Sequence, residues 1–154
     1  MRANPSTVLR ARKSLGQNFL MHAHIAERIA LVSGVGRNSV VLEIGPGTGM
    51  LTRELLKLAG KVIAVEADEE LFEKLQTDFV GDLANGRLEL IHGDIRNYPL
   101  NTAIAGNSGY SVVANIPYYL TGEIFRMFLE SLHQPSFMTL LVQKEVADRV
   151  IARD

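Results

Sequence analysis

Short apolar runs alternate along this chain with longer segments whose apolar residues recur at helical spacing. Five of the runs have the length of a strand and predict β-strands at 40–44, 61–65, 87–92, 110–114 and 137–142. The spaced segments predict helices over 22–32, 50–58, 69 to about 79, 121 to about 132, and from residue 144 onward. Asp68 and Thr121 stand where two of these helices begin, and we predict that they act as N-caps.

Strands that alternate with helices predict an α/β fold, in which right-handed βαβ units build a parallel sheet covered by helices on both faces. Ligands of such sheets bind at the carboxyl ends of the strands. The candidate binding loops therefore follow Ile44, Val65, His92 and Ala114. The sequence stops at Asp154, inside a predicted helix, and we expect a domain truncated before its final strands.

The composition is that of one globular domain. Of the 154 residues, 47% are hydrophobic and 21% are charged, and no apolar run approaches the ~18 residues of a membrane span. There is no cysteine, which excludes disulfides, thiolate zinc sites and a cysteine nucleophile. We expect a cytoplasmic protein without a membrane partner or a metal site.

The charge is unevenly distributed. The first 13 residues contain no acidic residue and four basic ones, Arg2, Arg10, Arg12 and Lys13, whereas the remainder holds 12 basic and 17 acidic residues. We predict that residues 1–13 form a flexible basic arm that contacts a polyanion. A solvated tail without a partner is the alternative.

The glycine-rich segment after the first strand is the first candidate site. A dinucleotide fingerprint would require glycine at position 50, where this chain has Met50. The observed spacing places Gly45, Gly47 and Gly49 after the acidic Glu43, and it looks like the first motif of S-adenosylmethionine-dependent methyltransferases. Glycines let the backbone approach a ligand closely, and Glu43 would lie near the amino acid end of the cofactor. A purely structural turn is the alternative.

Two acidic residues follow the second and third strands. Glu66 can accept hydrogen bonds from both ribose hydroxyls, as acidic residues do in dinucleotide enzymes. Asp94 can accept a hydrogen bond from an adenine amino group. The alternatives are an ordinary acid at a helix start for Glu66 and a turn-forming residue for Asp94.

The segment Asn115–Tyr118 follows the fourth strand and suits a planar base with an exocyclic amine. The Asn115 side-chain oxygen and the Ile116 carbonyl can each accept one hydrogen bond from an adenine N6 amine. Pro117 fixes the backbone without a competing N–H, and Tyr118 can stack on the base. The alternative is a strand-ending turn in which Tyr118 only fills space.

Together these motifs resemble the ribosomal RNA adenine N6-dimethyltransferase family, as does the segment 13–20. The resemblance implies a Rossmann-like methyltransferase fold over 14–154, with the family's helical RNA-binding domain absent. It implies S-adenosylmethionine as cofactor, with contacts from Gln17, Asn18, Leu20, Gly45, Glu66, Asp94 and Asn115. It also implies that the arm binds RNA through Arg10, Arg12 and Lys13.

The Gly16-Gln17 pair and the run 143–146 look like the small-subunit branch of the family. That branch dimethylates two adjacent adenines near the 3′ end of small-subunit rRNA and assists ribosome biogenesis, so the implied partner is the immature small subunit. A monomer is expected by analogy.

Three other functions stay open. One is the large-subunit branch, which confers macrolide resistance, although an aromatic residue is usual there in place of Val146. Another is a DNA adenine methyltransferase, although position 116 is Ile rather than the proline of that motif. The last is a ribosome-assembly or transcription-associated binding module without turnover, against which the intact Asn115, Tyr118 and glycine loop argue.

Overall fold

A computed structural model describes residues 22–100, 104 and 109–152 of the chain. The strands are β1 (Val40–Ile44), β2 (Lys61–Glu66), β3 (Leu88–His92), β4 (Ser111–Asn115) and β5 (Phe137–Leu141). The helices are α1 (Ala23–Val32), α2 (Met50–Leu58), α3 (Glu69–Asp78), α4 (Val80–Ala84), α5 (Thr121–Leu129) and α6 (Lys144–Ile151). Two 3-10 turns span Ile95–Asn97 and Tyr118–Leu120.

The five strands form one parallel sheet in the order β3-β2-β1-β4-β5. The chain moves outward from β1 to β3 on one side and then crosses back to β4 on the other. The strand order therefore reverses between β1 and β4, and a crevice opens there at the carboxyl edge. This confirms the predicted α/β fold and identifies the loops after β1 and β4 as neighbours.

Helices cover both faces of the sheet, as predicted. Successive residues of a strand point to opposite faces, so Val41 packs under α1, α2 and α3, whereas Leu42 packs with α5. The segment after β3 completes the second face with Ile95, Leu100 and Ile104. Side chains on both faces of β1 are buried, which explains its uninterrupted apolar sequence around Glu43.

The predicted caps had different outcomes. The Leu71 N–H donates to Asp68 Oδ1 at 3.1 Å, which confirms Asp68 as the N-cap of α3. The prediction for Thr121 is wrong, because Leu120 occupies the N-cap position and Thr121 is already the first helical residue. The cause is the preceding 3-10 turn, in which the Leu120 N–H donates to the Pro117 carbonyl and brings the chain into helical geometry before Thr121.

The third helix ends at Asp78, in agreement with the predicted end near 79, and the short helix α4, which was not predicted, follows it. The fourth predicted helix ends at Leu129 rather than near 132, because the Ser131 hydroxyl accepts from the His133 N–H at 3.2 Å. Such a local side-chain hydrogen bond competes with helical pairing.

Among the described residues, no helix is long and apolar enough to cross a membrane. The basic arm at 1–13 lies outside the described residues. The arm and the truncation before the final strands stay predictions.

Conformation and packing both require a glycine at position 49, directly before α2. Gly49 has φ 79°, and a Cβ atom there would lie 2.5 Å from Phe79 Cε2 and 2.9 Å from Leu75 Cδ2. We expect Gly49→Ala to lower the free energy of unfolding by about 2–4 kcal/mol through backbone strain and overpacking. Gly81→Ala, where the added Cβ meets nothing within 4 Å, is the control. Urea unfolding measures both, and equal stability of the two variants would contradict this explanation.

Candidate active site at the carboxyl edge of the sheet

A cavity of about 150 Å³ lies at the carboxyl edge of the sheet, where the loops after β1, β2, β3 and β4 meet. Seven of the predicted site residues line it, namely Glu43, Gly45, Gly47, Glu66, Asp94, Asn115 and Pro117. Gly49, Ile116 and Tyr118 are not among the lining residues. Gln17, Asn18 and Leu20, like Arg10, Arg12 and Lys13, lie outside the part of the chain that the structure describes.

The Glu66 carboxylate connects two of the loops. It accepts a hydrogen bond from the Gly47 N–H at Oε2 and another from the Asp68 N–H at Oε1, both at 2.9 Å. Gly47 reaches this carboxylate with φ 60°, a left-handed conformation that favours glycine. Burial raises the pKa of Glu66, and the backbone donors at Asp68 and Gly47 partly oppose that rise.

The two backbone donors leave part of the Glu66 carboxylate available. An ionised carboxylate offers about four acceptor positions; the Gly47 and Asp68 N–H groups use two of them, and a weaker hydrogen bond from the Ala67 N–H also lowers the pKa of Glu66. The remaining capacity fits the two hydroxyls of a ribose, and Glu66 lines the cavity where such a ligand would lie. Its ribose contact stays a prediction.

Glu43 is a buried acid at the cavity wall. Both carboxylate oxygens and the nearby Thr52 hydroxyl are buried, with no hydrogen-bond partner among the described residues. Burial raises the pKa of Glu43 to about 8 and the Glu66 charge adds to the rise, whereas the Thr52 hydroxyl lies near enough to oppose it without forming a hydrogen bond of ordinary geometry. A buried acid without a partner is costly unless a ligand supplies a charge or a donor. The site therefore fits a group with a cationic amine.

Asp94 carries a contact that the sequence did not reveal. The Arg96 guanidinium binds both oxygens of the Asp94 carboxylate, with Nε at 2.9 and 3.0 Å. The Arg96 backbone N–H also donates to Asp94 Oδ1 at 2.9 Å, so Asp94 caps the 3-10 turn at 95–97. The turn-forming alternative is thus present, and Asp94 also lines the cavity. The side-chain hydrogen bond from Arg96 lowers the pKa of Asp94.

The loop after β4 divides its side chains between the core and the cavity. Asn115 ends β4 and lines the cavity with Pro117, whereas Ile116 is 5% exposed and packs in the core. The Ile116 N–H donates to the Leu141 carbonyl of β5 at 3.4 Å.

The aromatic residue at the cavity wall is Tyr119, which the sequence analysis missed. Tyr118 is 57% exposed, and its ring meets that of Tyr119 edge to face with centroids 6.0 Å apart. The only sequence signal for Tyr119 was the doubling of tyrosine, and the 3-10 turn decides which ring faces the cavity. Stacking of Tyr118 on a base stays a prediction.

Comparison with known proteins adds independent information. The family described as ribosomal RNA adenine dimethylase matches residues 8–154. Ribosomal RNA small subunit methyltransferase A of Dehalococcoides mccartyi (strain ATCC BAA-2100 / JCM 16839 / KCTC 5957 / BAV1) is 42% identical over 94% of the chain. The alignment covers 49% of that relative, so the chain spans about half the length of the curated relatives it matches.

Two solved structures are similar over most of the chain. A dimethyladenosine transferase from Plasmodium falciparum superposes with a TM-score of 0.72 at 28% identity, covering 88% of this chain and 47% of that one. The 23S rRNA methyltransferase ErmE superposes with a TM-score of 0.71 at 30% identity, covering 85% and 50%. The described fold is therefore the Rossmann-like fold of methyltransferases.

The buried Glu43 predicts a pH dependence of stability. The unfolded chain loses this proton near the ordinary pKa of 4.5, whereas the folded protein keeps it up to about 8. Between these values the unfolding free energy of the wild type falls as pH rises, by roughly 1 kcal/mol per pH unit from this group. In Glu43→Gln this fall is absent, so the variant gains stability over the wild type as pH rises.

Urea unfolding at pH 5 and pH 7.5, without added cofactor, measures this difference. Glu89→Gln is the matched control, because Glu89 is an exposed carboxylate on β3 paired with Lys61. We expect that control to keep the pH profile of the wild type. Parallel profiles for the wild type and Glu43→Gln would show that Glu43 is ionised in the folded protein.

Proposed function

Because this chain belongs to the ribosomal RNA adenine dimethylase family, we propose that it forms the catalytic domain of an S-adenosylmethionine-dependent rRNA adenine N6-dimethyltransferase. The substrate is a pair of adjacent adenines near the 3′ end of small-subunit rRNA, and the reaction serves ribosome biogenesis. One observation carries the proposal: acceptors suited to the cofactor and the loop suited to the base line the same cavity.

The first side of the cavity holds the cofactor. Glu66 accepts the ribose hydroxyls, and Asp94 accepts the adenine amine. The buried, unpartnered oxygens of Glu43 face the amino acid end of the cofactor, whose cationic amine supplies the partner that this acid lacks within the protein. Gly45 and Gly47 let the backbone come close to that end. A Cβ at Gly45 would point into space that no protein atom fills, which is the space left for the ligand. Gln17, Asn18 and Leu20 contact the cofactor from the N-terminal segment.

The second side of the cavity holds the target adenine. The Asn115 side-chain oxygen and the Ile116 carbonyl accept the two N6–H groups and orient the nitrogen lone pair. Burial of the Ile116 side chain fixes the backbone that presents this carbonyl. Tyr118 stacks on the base at the exposed rim, and Tyr119 forms the wall behind it. A base from a helix must be flipped out of its stack to reach this position.

When bound, the cofactor supplies an electrophilic sulfonium methyl group. Transfer of that methyl group to N6 would form the N–C bond and leave the cofactor as a neutral thioether, with the N6 lone pair held in line by Asn115 and the Ile116 carbonyl. The N6 proton passes to water, and a second transfer gives the dimethylated base. Asn115 and Ile116 act by alignment, which is proximity catalysis, and no strong general base is needed.

Small-subunit rRNA is the favoured substrate over large-subunit rRNA for two reasons. The curated relative quoted above, named for the small subunit, is 42% identical to this chain, whereas the 23S rRNA methyltransferase ErmE is 30% identical. Val146 also stands where the large-subunit branch usually has an aromatic residue. Arg10, Arg12 and Lys13 provide phosphate contacts, and the protein acts as a cytoplasmic monomer on the immature small subunit.

The test is transfer of labelled methyl groups from S-adenosylmethionine to immature small subunits by the full-length protein. We expect label on adenine N6 of small-subunit rRNA. Label confined to large-subunit rRNA or to DNA would overturn the proposal, and binding without any transfer would favour an assembly module.

Asn115 tests the catalytic assignment. We expect Asn115→Ala to lower turnover about a hundredfold, because the target amine is no longer aligned, while the cofactor Kd changes by less than about threefold. Asn38→Ala, in the exposed turn before β1, should leave both values unchanged. An equal loss of turnover and of cofactor affinity would instead make Asn115 chiefly a cofactor ligand.

Glu66 tests the placement of the cofactor. We expect Glu66→Ala to raise the cofactor Kd about tenfold or more, since it removes acceptors for the ribose and releases the Gly47 N–H. Calorimetry measures this, with Glu89→Ala on the neighbouring strand as control. An unchanged Kd would refute the ribose contact.

A further inference from the structure

The Arg96 side chain occupies the boundary between the two sides of the cavity. Its guanidinium binds the Asp94 carboxylate, and its Nη1 lies 3.8 Å from Glu123 Oε2. Asp94 belongs to the loop after β3, whereas Glu123 lies in the first turn of α5, directly after the loop that holds the base. Arg96 is 47% exposed on its side chain, so it is accessible at the mouth of the cavity.

Arg96 is also the one basic residue among the described residues that line the cavity. The same lining includes four acidic residues, Glu43, Glu66, Asp68 and Asp94, so acids outnumber the one base even with Glu43 protonated. Such walls suit a cationic cofactor but repel the phosphates of an approaching RNA strand. A guanidinium at the mouth is the group that could offset this repulsion, because it binds phosphate oxygens with two parallel hydrogen bonds.

In the described state, Asp94 occupies the edge of the Arg96 guanidinium formed by Nε and Nη2, so that edge is not available for two parallel hydrogen bonds to a phosphate, and both Asp94 oxygens are engaged. The Asp94 carboxylate receives four contacts from Arg96, two at each oxygen. A carboxylate offers about four acceptor positions, and these contacts come from three N–H groups, since the Arg96 Nε–H is shared between both oxygens. The Arg96 side chain engages both oxygens, so the adenine amine has to compete with it for Asp94, while the backbone contact can remain.

We propose that Arg96 binds an RNA phosphate beside the target adenine, and that the cofactor's adenine releases it for this purpose by taking its place on Asp94. The inference rests on the proposed function, since it requires both the cofactor and the RNA. It assigns Arg96 as a positioning residue that makes RNA binding depend on cofactor binding. Linkage requires the reverse effect as well, so RNA strengthens cofactor binding by the same factor.

The first arm of the experiment needs no RNA. The full-length wild type, Arg96→Gln and Arg96→Lys are titrated with S-adenosylhomocysteine by calorimetry. We expect Arg96→Gln to bind it about two- to fivefold more tightly than the wild type, because no exposed ion pair has to be broken first. Equal or weaker binding by Arg96→Gln would overturn the exchange at Asp94. Lys57→Gln is the matched control, since Lys57 forms an exposed ion pair with Glu54 outside the cavity.

The second arm measures binding of a small-subunit rRNA fragment over a range of salt, with and without S-adenosylhomocysteine. For the wild type we expect tighter RNA binding with the ligand, and a salt slope steeper by about one phosphate contact. In Arg96→Gln the ligand should neither tighten RNA binding nor steepen the salt slope, whereas Arg96→Lys should keep the steeper slope with weaker RNA binding. The phosphate contact would be overturned if the ligand steepened the salt slope of Arg96→Gln as well, or if it did not steepen that of the wild type.

Methyl transfer by the wild type separates the two proposals. If the wild type methylates small-subunit rRNA and Arg96→Gln binds cofactor and RNA as the wild type does, only the role of Arg96 is overturned and the proposed function stands. Absence of transfer to that RNA would overturn the proposed function, while the cofactor titration would still decide the exchange at Asp94. As a control for folding, each variant should melt within a few degrees of the wild type.

Discussion

Glu66 is the residue on which the arrangement of the cavity depends. Its carboxylate holds the Gly47 N–H of the loop after β1 and the Asp68 N–H at the start of α3. Its backbone carbonyl accepts from the Gly93 N–H after β3 at 2.8 Å. Three loops are thus joined through one buried residue at the end of β2. Buried N–H groups without partners would cost free energy, so this junction favours one conformation of the loops.

The charges around this junction favour one kind of ligand. Glu43, Glu66, Asp68 and Asp94 surround the cavity, and burial raises the pKa of Glu43 far enough to keep it neutral at pH 7. A cationic ligand relieves both the crowding of acids and the unpartnered state of Glu43. The same acidic walls repel an RNA strand, and Arg96, the one guanidinium among the described residues of the lining, lies at the mouth where it can offset that repulsion.

Much of the fold could be predicted because its signals are local. The bounds of β1 and α2 agree with the prediction at both ends, since β1 is an apolar run directly followed by Gly45 and α2 is an amphipathic run directly preceded by Gly49. Glu66 and Asp94 could be assigned to one site, because parallel strands bring their carboxyl ends to the same edge. The cap at Thr121 was predicted wrongly, since the 3-10 turn that displaces it carries no distinct pattern.

The sequence by itself determined the order of strands and helices, the family, and the loops that meet at the site. Tertiary structure decided which of the candidate side chains face the cavity and added others. It placed Tyr119 rather than Tyr118 in the wall, buried Glu43 without a partner, and brought Arg96 between Asp94 and Glu123. The burial of Glu43 and the approach of Arg96 to Glu123 depend on contacts between segments that are distant in sequence, whereas the choice of Tyr119 follows from the 3-10 turn, and hydrophobic periodicity contains no information about either.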